Sequence, residues 1–101
     1  MEQGDEHLDL RGAVGKDFQP FIGQVFDVAL DEAGEPFTSF KLVEATPTEA
    51  RPFRLIFEGP VTVPLDQGTF YFKNASTDTL TIFIVPISAD AQTRAYEAIF
   101  N

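Results

Sequence analysis

From residue 24 onward, apolar and polar side chains alternate with a period of two, the pattern of strands that bury one face. Residues 24–30 put Phe26, Val28 and Leu30 on one side. Residues 37–45 do the same with Phe40 and Leu42, and residues 53–58 with Phe53, Leu55 and Phe57. The stretches 69–73, 79–87 and 94–100 complete six predicted strands. Polar, glycine or proline breaks separate them at 31–35, 46–49, 59–60 and 61–68. Breaks recurring about every 8 to 12 positions favour an antiparallel meander over βαβ crossovers. Six short strands with so many inward phenylalanines must curl to hide their edges. The expected fold is therefore mostly all-β: a small six-stranded antiparallel meander forming a barrel or compact sandwich, with a short N-terminal helical turn.

That turn is read from residues 15–23. Asp17 can cap its first N–H groups, Pro20 sits where a missing donor costs nothing, and Gly23 suits a left-handed stop. Phe18, Phe21 and Ile22 fall at helical spacing and are expected to plug one end of the core. Two registers follow from the pattern. Leu42 opposite Leu55 puts Phe40 opposite Phe57 and Glu44 opposite Phe53, whereas a one-residue slip would drive Lys41 into the core. Phe72 should face Leu80 and Phe70 should face Ile82, with residues 74–78 as the loop.

The fifth strand departs from simple alternation. Leu80, Ile82 and Ile84 line one face, while Phe83, Val85 and Ile87 make the other apolar too. Covering a large apolar side chain gains roughly 1.5–3 kcal/mol. The cover is either the helical turn carrying Phe18 and Phe21 or a second subunit, so Phe83, Val85, Ile87, Phe18 and Phe21 are the candidate interface residues. Pro86 denies the ladder one donor and belongs at an edge or a bulge. Gly68 opens the fourth strand where a positive φ or a close backbone approach is plausible. The chain ends within a strand, so Phe100 ties the last residues into the sheet.

Composition narrows the chemistry. The 101 residues suffice for one domain, read as an acidic, flexible arm at 1–14 followed by a β domain at 15–101. Seven Lys and Arg against sixteen Asp and Glu give a net charge of -9. Nucleic acid and anionic lipid are thus poor partners. The absence of cysteine excludes thiol catalysis, disulfides and cysteine-based metal sites. The single histidine, His7, stands in the acidic arm, where Glu2, Asp5, Glu6 and Asp9 lack the spacing of a calcium loop. No secretory signal opens the chain, and no apolar run approaches the ~20 residues of a membrane span. A cytoplasmic location is expected, with export inside a larger assembly left open.

No catalytic set emerges. A Ser-His-Asp arrangement cannot be built around His7. Residues 12–16 lack the spacing of a phosphate loop, and no Ser or Thr follows Lys16. Glu44 and Glu58 read as surface charge beside Lys41 and Arg54. The tripeptide Asn74-Ala75-Ser76 matches a glycosylation acceptor in a loop, which means little without an export signal. No cofactor or metal is expected.

Taken together, Phe53-Arg54-Leu55-Ile56-Phe57-Glu58-Gly59-Pro60, then Leu65-Asp66-Gln67-Gly68-Thr69-Phe70, Leu80 to Ile87, and Tyr96-Glu97-Ala98-Ile99-Phe100-Asn101 resemble a family of small bacterial proteins classed as a domain of unknown function. The opening Asp17-Phe18-x-Pro20-x-Ile22-Gly23-Gln24-x-Phe26 fits it as well, so the resemblance spans about residues 17–101. It carries no catalytic residues. Genes of this family often neighbour those for proteins with a phage-tail-collar domain, so the resemblance would imply an accessory or assembly role next to tail-fibre-like surface structures.

The expected function is a non-enzymatic interaction or assembly module, a small acidic barrel that self-associates or docks on a protein. The alternatives are a barrel binding a small apolar ligand and, more remotely, a carboxylate- or metal-dependent hydrolase. A ligand barrel needs a cavity of ~300 Å³, which eleven phenylalanines in so short a chain leave little room for.

Overall fold

The computed structural model describes residues 10–101. Six strands form close to the expected bounds: β1 (Val25–Ala29), β2 (Thr38–Thr46), β3 (Phe53–Pro60), β4 (Gly68–Lys73), β5 (Leu80–Ala89) and β6 (Thr93–Phe100). They close into an antiparallel barrel, ordered β1-β2-β3-β6-β5-β4. Of the two architectures left open by the alternation, this is the one that pairs every strand on both sides.

The order is not that of a simple meander. Two three-stranded meanders, β1 to β3 and β4 to β6, meet along two seams. β3 pairs with β6 over its whole length, from Phe53–Phe100 to Pro60–Thr93. β4 closes on β1 through Asp27–Lys73, Val28–Phe72 and Ala29–Tyr71. Because β3 and β4 are not neighbours, residues 61–67 cross from one meander to the other. The N–H of Leu65 in this connector donates to the buried Tyr96 hydroxyl at 3.0 Å, which pins the crossing to the core.

The β4–β5 hairpin has the expected register, with Phe72 opposite Leu80 and Phe70 opposite Ile82. The β2–β3 pairing differs. Leu42 stands opposite Phe57, not Leu55, and Glu44 stands opposite Ile56, not Phe53. The register is slipped by an even number of residues and then broken by a bulge at Val43. An even slip keeps every inward side chain inward, so the apolar pattern does not oppose it. The bulge makes Leu42 and Ala45 the inward pair of β2 and leaves Glu44 on the outer face.

The third strand also outruns expectation, since Gly59 and Pro60 extend it. Gly59 is a packing requirement, because a Cβ there would run into Cδ1 and Cε1 of the Phe40 ring. Gly68 has no such role: its φ is not positive, and a Cβ would meet the Phe70 ring only at an ordinary 3.5 Å. Gly23 does adopt the left-handed conformation expected of it, with φ of 91°.

The N-terminal turn is a 3-10 helix, Gly15–Phe21. Asp17 lies inside it, not ahead of it, and its Oδ2 accepts the Val14 N–H at 2.9 Å. The turn packs against β2 and β3. Gln19 Nε2 donates to the Ala45 carbonyl at 2.8 Å, and the Gly23 N–H donates to that of Leu42 at 2.7 Å. Of the stretch 1–14, residues 1–9, with His7 and the acidic cluster, lie outside the described residues. Ala13 is buried in the core, and Leu10 packs against it. Arg51 holds this segment, donating to the carbonyls of Leu10 and Ala13 and, at 2.7 Å, to that of Asn101. Phe100 stacks on Phe53 at 5.0 Å, so the end of β6 is tied down as expected.

Candidate functional site

The outer face of β5 is the feature that the alternation singled out. Leu80, Ile82 and Ile84 point into the barrel and are buried, which turns Phe83 and Val85 outward. Phe83 is 53% exposed and Ile87 48%, with Val85 half-buried between them. Phe83 faces Thr69 across the β4 ladder, and Val85 faces Glu97 across the β6 ladder. Ile99, two residues beyond Glu97 on β6, is 58% exposed and belongs to the same side of the sheet. Its signal in the sequence is the unbroken run Ala98-Ile99-Phe100, of which only alternate members can point inward. Pro86 stands opposite Tyr96 next to the β-bulge at Ile87, the kind of place where a residue with no N–H for the ladder is expected.

The five candidate interface residues do not form one surface. Phe18 is 1% exposed and packs on Phe53 and Phe100, with ring centroids 5.9 and 6.5 Å apart. Phe21 is buried against Phe26 at 6.3 Å. The helical turn therefore fills the barrel end and does not cover β5. The expected cover of Phe83 and Val85 by this turn is thus corrected, and among the described residues the stripe stays exposed.

The interior is filled by rings. Phe40 stacks on Tyr96 at 4.6 Å with 15° between the planes, and Phe57 lies 4.7 Å from Phe72 and 5.9 Å from Phe26. Open clefts lie among the described residues of the surface. One, of about 330 Å³, runs over Val25, Ser39, Lys41, Glu58 and Thr93. Another, of about 320 Å³, is bounded by Arg94 and residues 86–89.

The described acidic residues form no metal-binding cluster, since no group of three or more His, Cys, Asp or Glu among the described residues could hold a metal ion. Glu44 and Glu58 take different partners. Arg54 bridges Glu44 at 3.1 Å and Glu97 at 3.0 Å across the outer face of β2, β3 and β6. The Thr46 hydroxyl, 2.6 Å from Glu44 Oε2, and then Arg54 hold the Glu44 carboxyl below its ordinary value. Glu97 and then Glu44 push the Arg54 guanidinium up. Glu58 faces Lys41 in the ladder. The N–H groups of Thr93 and Gln92 lower the Asp90 carboxyl. Asn74 uses its side chain structurally, donating to the Val25 carbonyl at 3.0 Å and accepting the Ser76 N–H at 2.7 Å. No described helix is long and apolar enough to cross a membrane.

No curated protein and no solved structure matches the chain. One family does, over residues 15–100, and its match takes in the helical turn and all six strands. The chain belongs to the family described as Domain of unknown function (DUF6916).

Proposed function

We propose that this barrel is a non-enzymatic interaction module that works through protein–protein contacts on the outer face of β5. The observation that carries the proposal is the exposed stripe of Phe83, Val85 and Ile87, continued by Ile99 on β6. Alternation alone would have made these positions polar. The outward residues of β5 at 81, 83, 85 and 87 carry no charge, in a chain whose net charge is -9. Uncharged strips of this kind on an otherwise charged surface mark contact sites. The ring-filled interior argues against the alternative of an apolar ligand held inside the barrel. Self-association is one form of the proposal, and an accessory role beside a tail-fibre-like assembly is the other.

Light scattering on the full chain tests the first form. The expected result is a mass that is a multiple of 11.2 kDa. It should fall to 11.2 kDa in a Phe83→Asp variant that keeps its β circular-dichroism spectrum. A constant 11.2 kDa for the unaltered chain up to about 1 mM overturns self-association.

A further inference from the structure

The described cations are accounted for with two kinds of exception. Arg51 and Lys73 donate to backbone carbonyls, Arg54 bridges two carboxylates, and Arg11 is engaged as well. Lys16 and Lys41 are exposed and served by water. Arg94 is different. It is half-buried on β6, and its one described partner is the face of the Tyr96 ring, 6.0 Å from the guanidinium carbon. A ring face satisfies none of the five N–H donors that a guanidinium carries, and none of the Arg94 nitrogens is buried without a partner, so its donors reach solvent and are open to a ligand. In a chain with sixteen acidic residues, none of the described ones has been brought to it.

The surroundings of Arg94 are equally specific. It stands opposite Ala89 across the β5–β6 ladder and bounds the cleft of about 320 Å³. The cleft lies where the ladder is interrupted: Pro86 brings no N–H, and the bulge at Ile87 shifts the register. Pro86, Ile87 and Ala89 give it apolar walls, whereas Ser88 pairs with Ala95 and turns its side chain to the other face from Arg94. A few polar groups set in apolar walls are what fixes a small group in one orientation. A guanidinium matches a carboxylate with two parallel hydrogen bonds. Multiply charged anions are opposed by the net charge of -9, whereas one carboxylate at contact distance feels mainly Arg94, distant charges being screened beyond about 8 Å.

We propose that Arg94 and the bulge at residues 86–89 form a recognition site for a single carboxylate borne on an apolar body. Arg94 pairs with the carboxylate, and the apolar walls of the cleft cover the apolar part. That chemistry belongs both to a free branched acid and to the C-terminal residue of a protein segment. The site shares Ile87 with the β5 stripe but does not rest on self-association through Phe83.

The test is a nuclear magnetic resonance titration of the ¹⁵N-labelled full chain, following Arg94 Nε–H and the amides of Ile87, Ser88 and Ala89. The probes are 4-methylpentanoate for the free acid, acetyl-Ala-Leu for a chain end, and the carboxamide of each. The expected result is saturable shifts at these groups with at least one carboxylate and binding about tenfold weaker for its carboxamide. The shifts should be absent in Arg94→Gln and weakened in Arg94→Lys, which keeps the charge but not the fork. Tighter binding of acetyl-Ala-Leu assigns the site to chain ends, and tighter binding of 4-methylpentanoate assigns it to a small acid. No shift with either carboxylate up to about 10 mM, equal shifts with the carboxamides, or undiminished shifts in a folded Arg94→Gln or Arg94→Lys variant overturns the proposal. Loss of the Phe83-dependent dimer would leave these titrations unchanged, so the two proposals fail separately.

Discussion

Replacing Gly59 by alanine sets backbone preference against packing. By preference alone, alanine in a strand interior should be the more stable residue by about 0.5–1 kcal/mol. The barrel reverses that sign. A methyl group at 59 would run into Cδ1 and Cε1 of Phe40 and lie 3.3 Å from its Cζ. The Phe40 ring has nowhere to go: it is buried, stacked on Tyr96 at 4.6 Å, edge-on to Phe72 at 5.8 Å and 6.4 Å from Phe57. Forcing one carbon into such a site costs about 1–3 kcal/mol. Taking the middle of each range, the net loss after the backbone gain is about 1 kcal/mol, or a fall in Tm of about 4–8 °C for a domain of this size. Urea unfolding followed by far-ultraviolet circular dichroism measures it, since the chain has no tryptophan. The same substitution in a Phe40→Leu background, where the obstructing ring is gone, should cost under about 0.5 kcal/mol. A Gly59→Ala protein as stable as the unaltered chain, or an equal loss in both backgrounds, would refute the reasoning.

Two further outcomes follow from the same contacts. Tyr96→Phe keeps the ring stack but strands the Leu65 N–H in the crossing connector, so a loss of about 1–2 kcal/mol and faster hydrogen exchange at the Leu65 amide are expected; unchanged exchange would show that the connector is held by other contacts. Glu44 and Asp90 both titrate below their ordinary values in the folded state, Glu44 chiefly through the Thr46 hydroxyl and Asp90 chiefly through the Thr93 N–H. A lowered carboxyl contributes stability above its unfolded value, about 4, and that contribution disappears as pH falls through the folded value. Stability should therefore decline as pH drops below about 4, and Thr46→Val should move the Glu44 titration upward towards its ordinary value. An unmoved Glu44 titration, followed by side-chain carboxyl chemical shift, would assign the lowering to Arg54 alone.

The strands were legible because a sheet with one buried face imposes a period of two, and phenylalanines at 26, 40, 53, 57, 70 and 72 mark it plainly. The β4–β5 register was legible for a second reason: its short loop leaves few ways to pair Phe72 with an apolar partner other than Leu80. Nothing comparable constrained β2 against β3. An even slip preserves the buried set, and the bulge at Val43 conceals the change of phase between Leu42 and Ala45. In the candidate site, the doubled apolar character of β5 pointed to Phe83, Val85 and Ile87. The helical spacing of Phe18 and Phe21 could not say whether they would cover that stripe or fill the barrel end.

Local order thus determined which segments become strands, which face of each turns inward, and where Gly23 and Pro86 interrupt regular structure. Those choices depend on a few neighbouring side chains and the backbone they share. The non-sequential strand order, the burial of Phe18 and Phe21, the Phe40 ring over Gly59 and the unpaired Arg94 beside the bulge were settled only when distant segments met. Each is a matter of which volume remains when six strands close around eight buried phenylalanines, and pairing between segments far apart along the chain leaves no local trace.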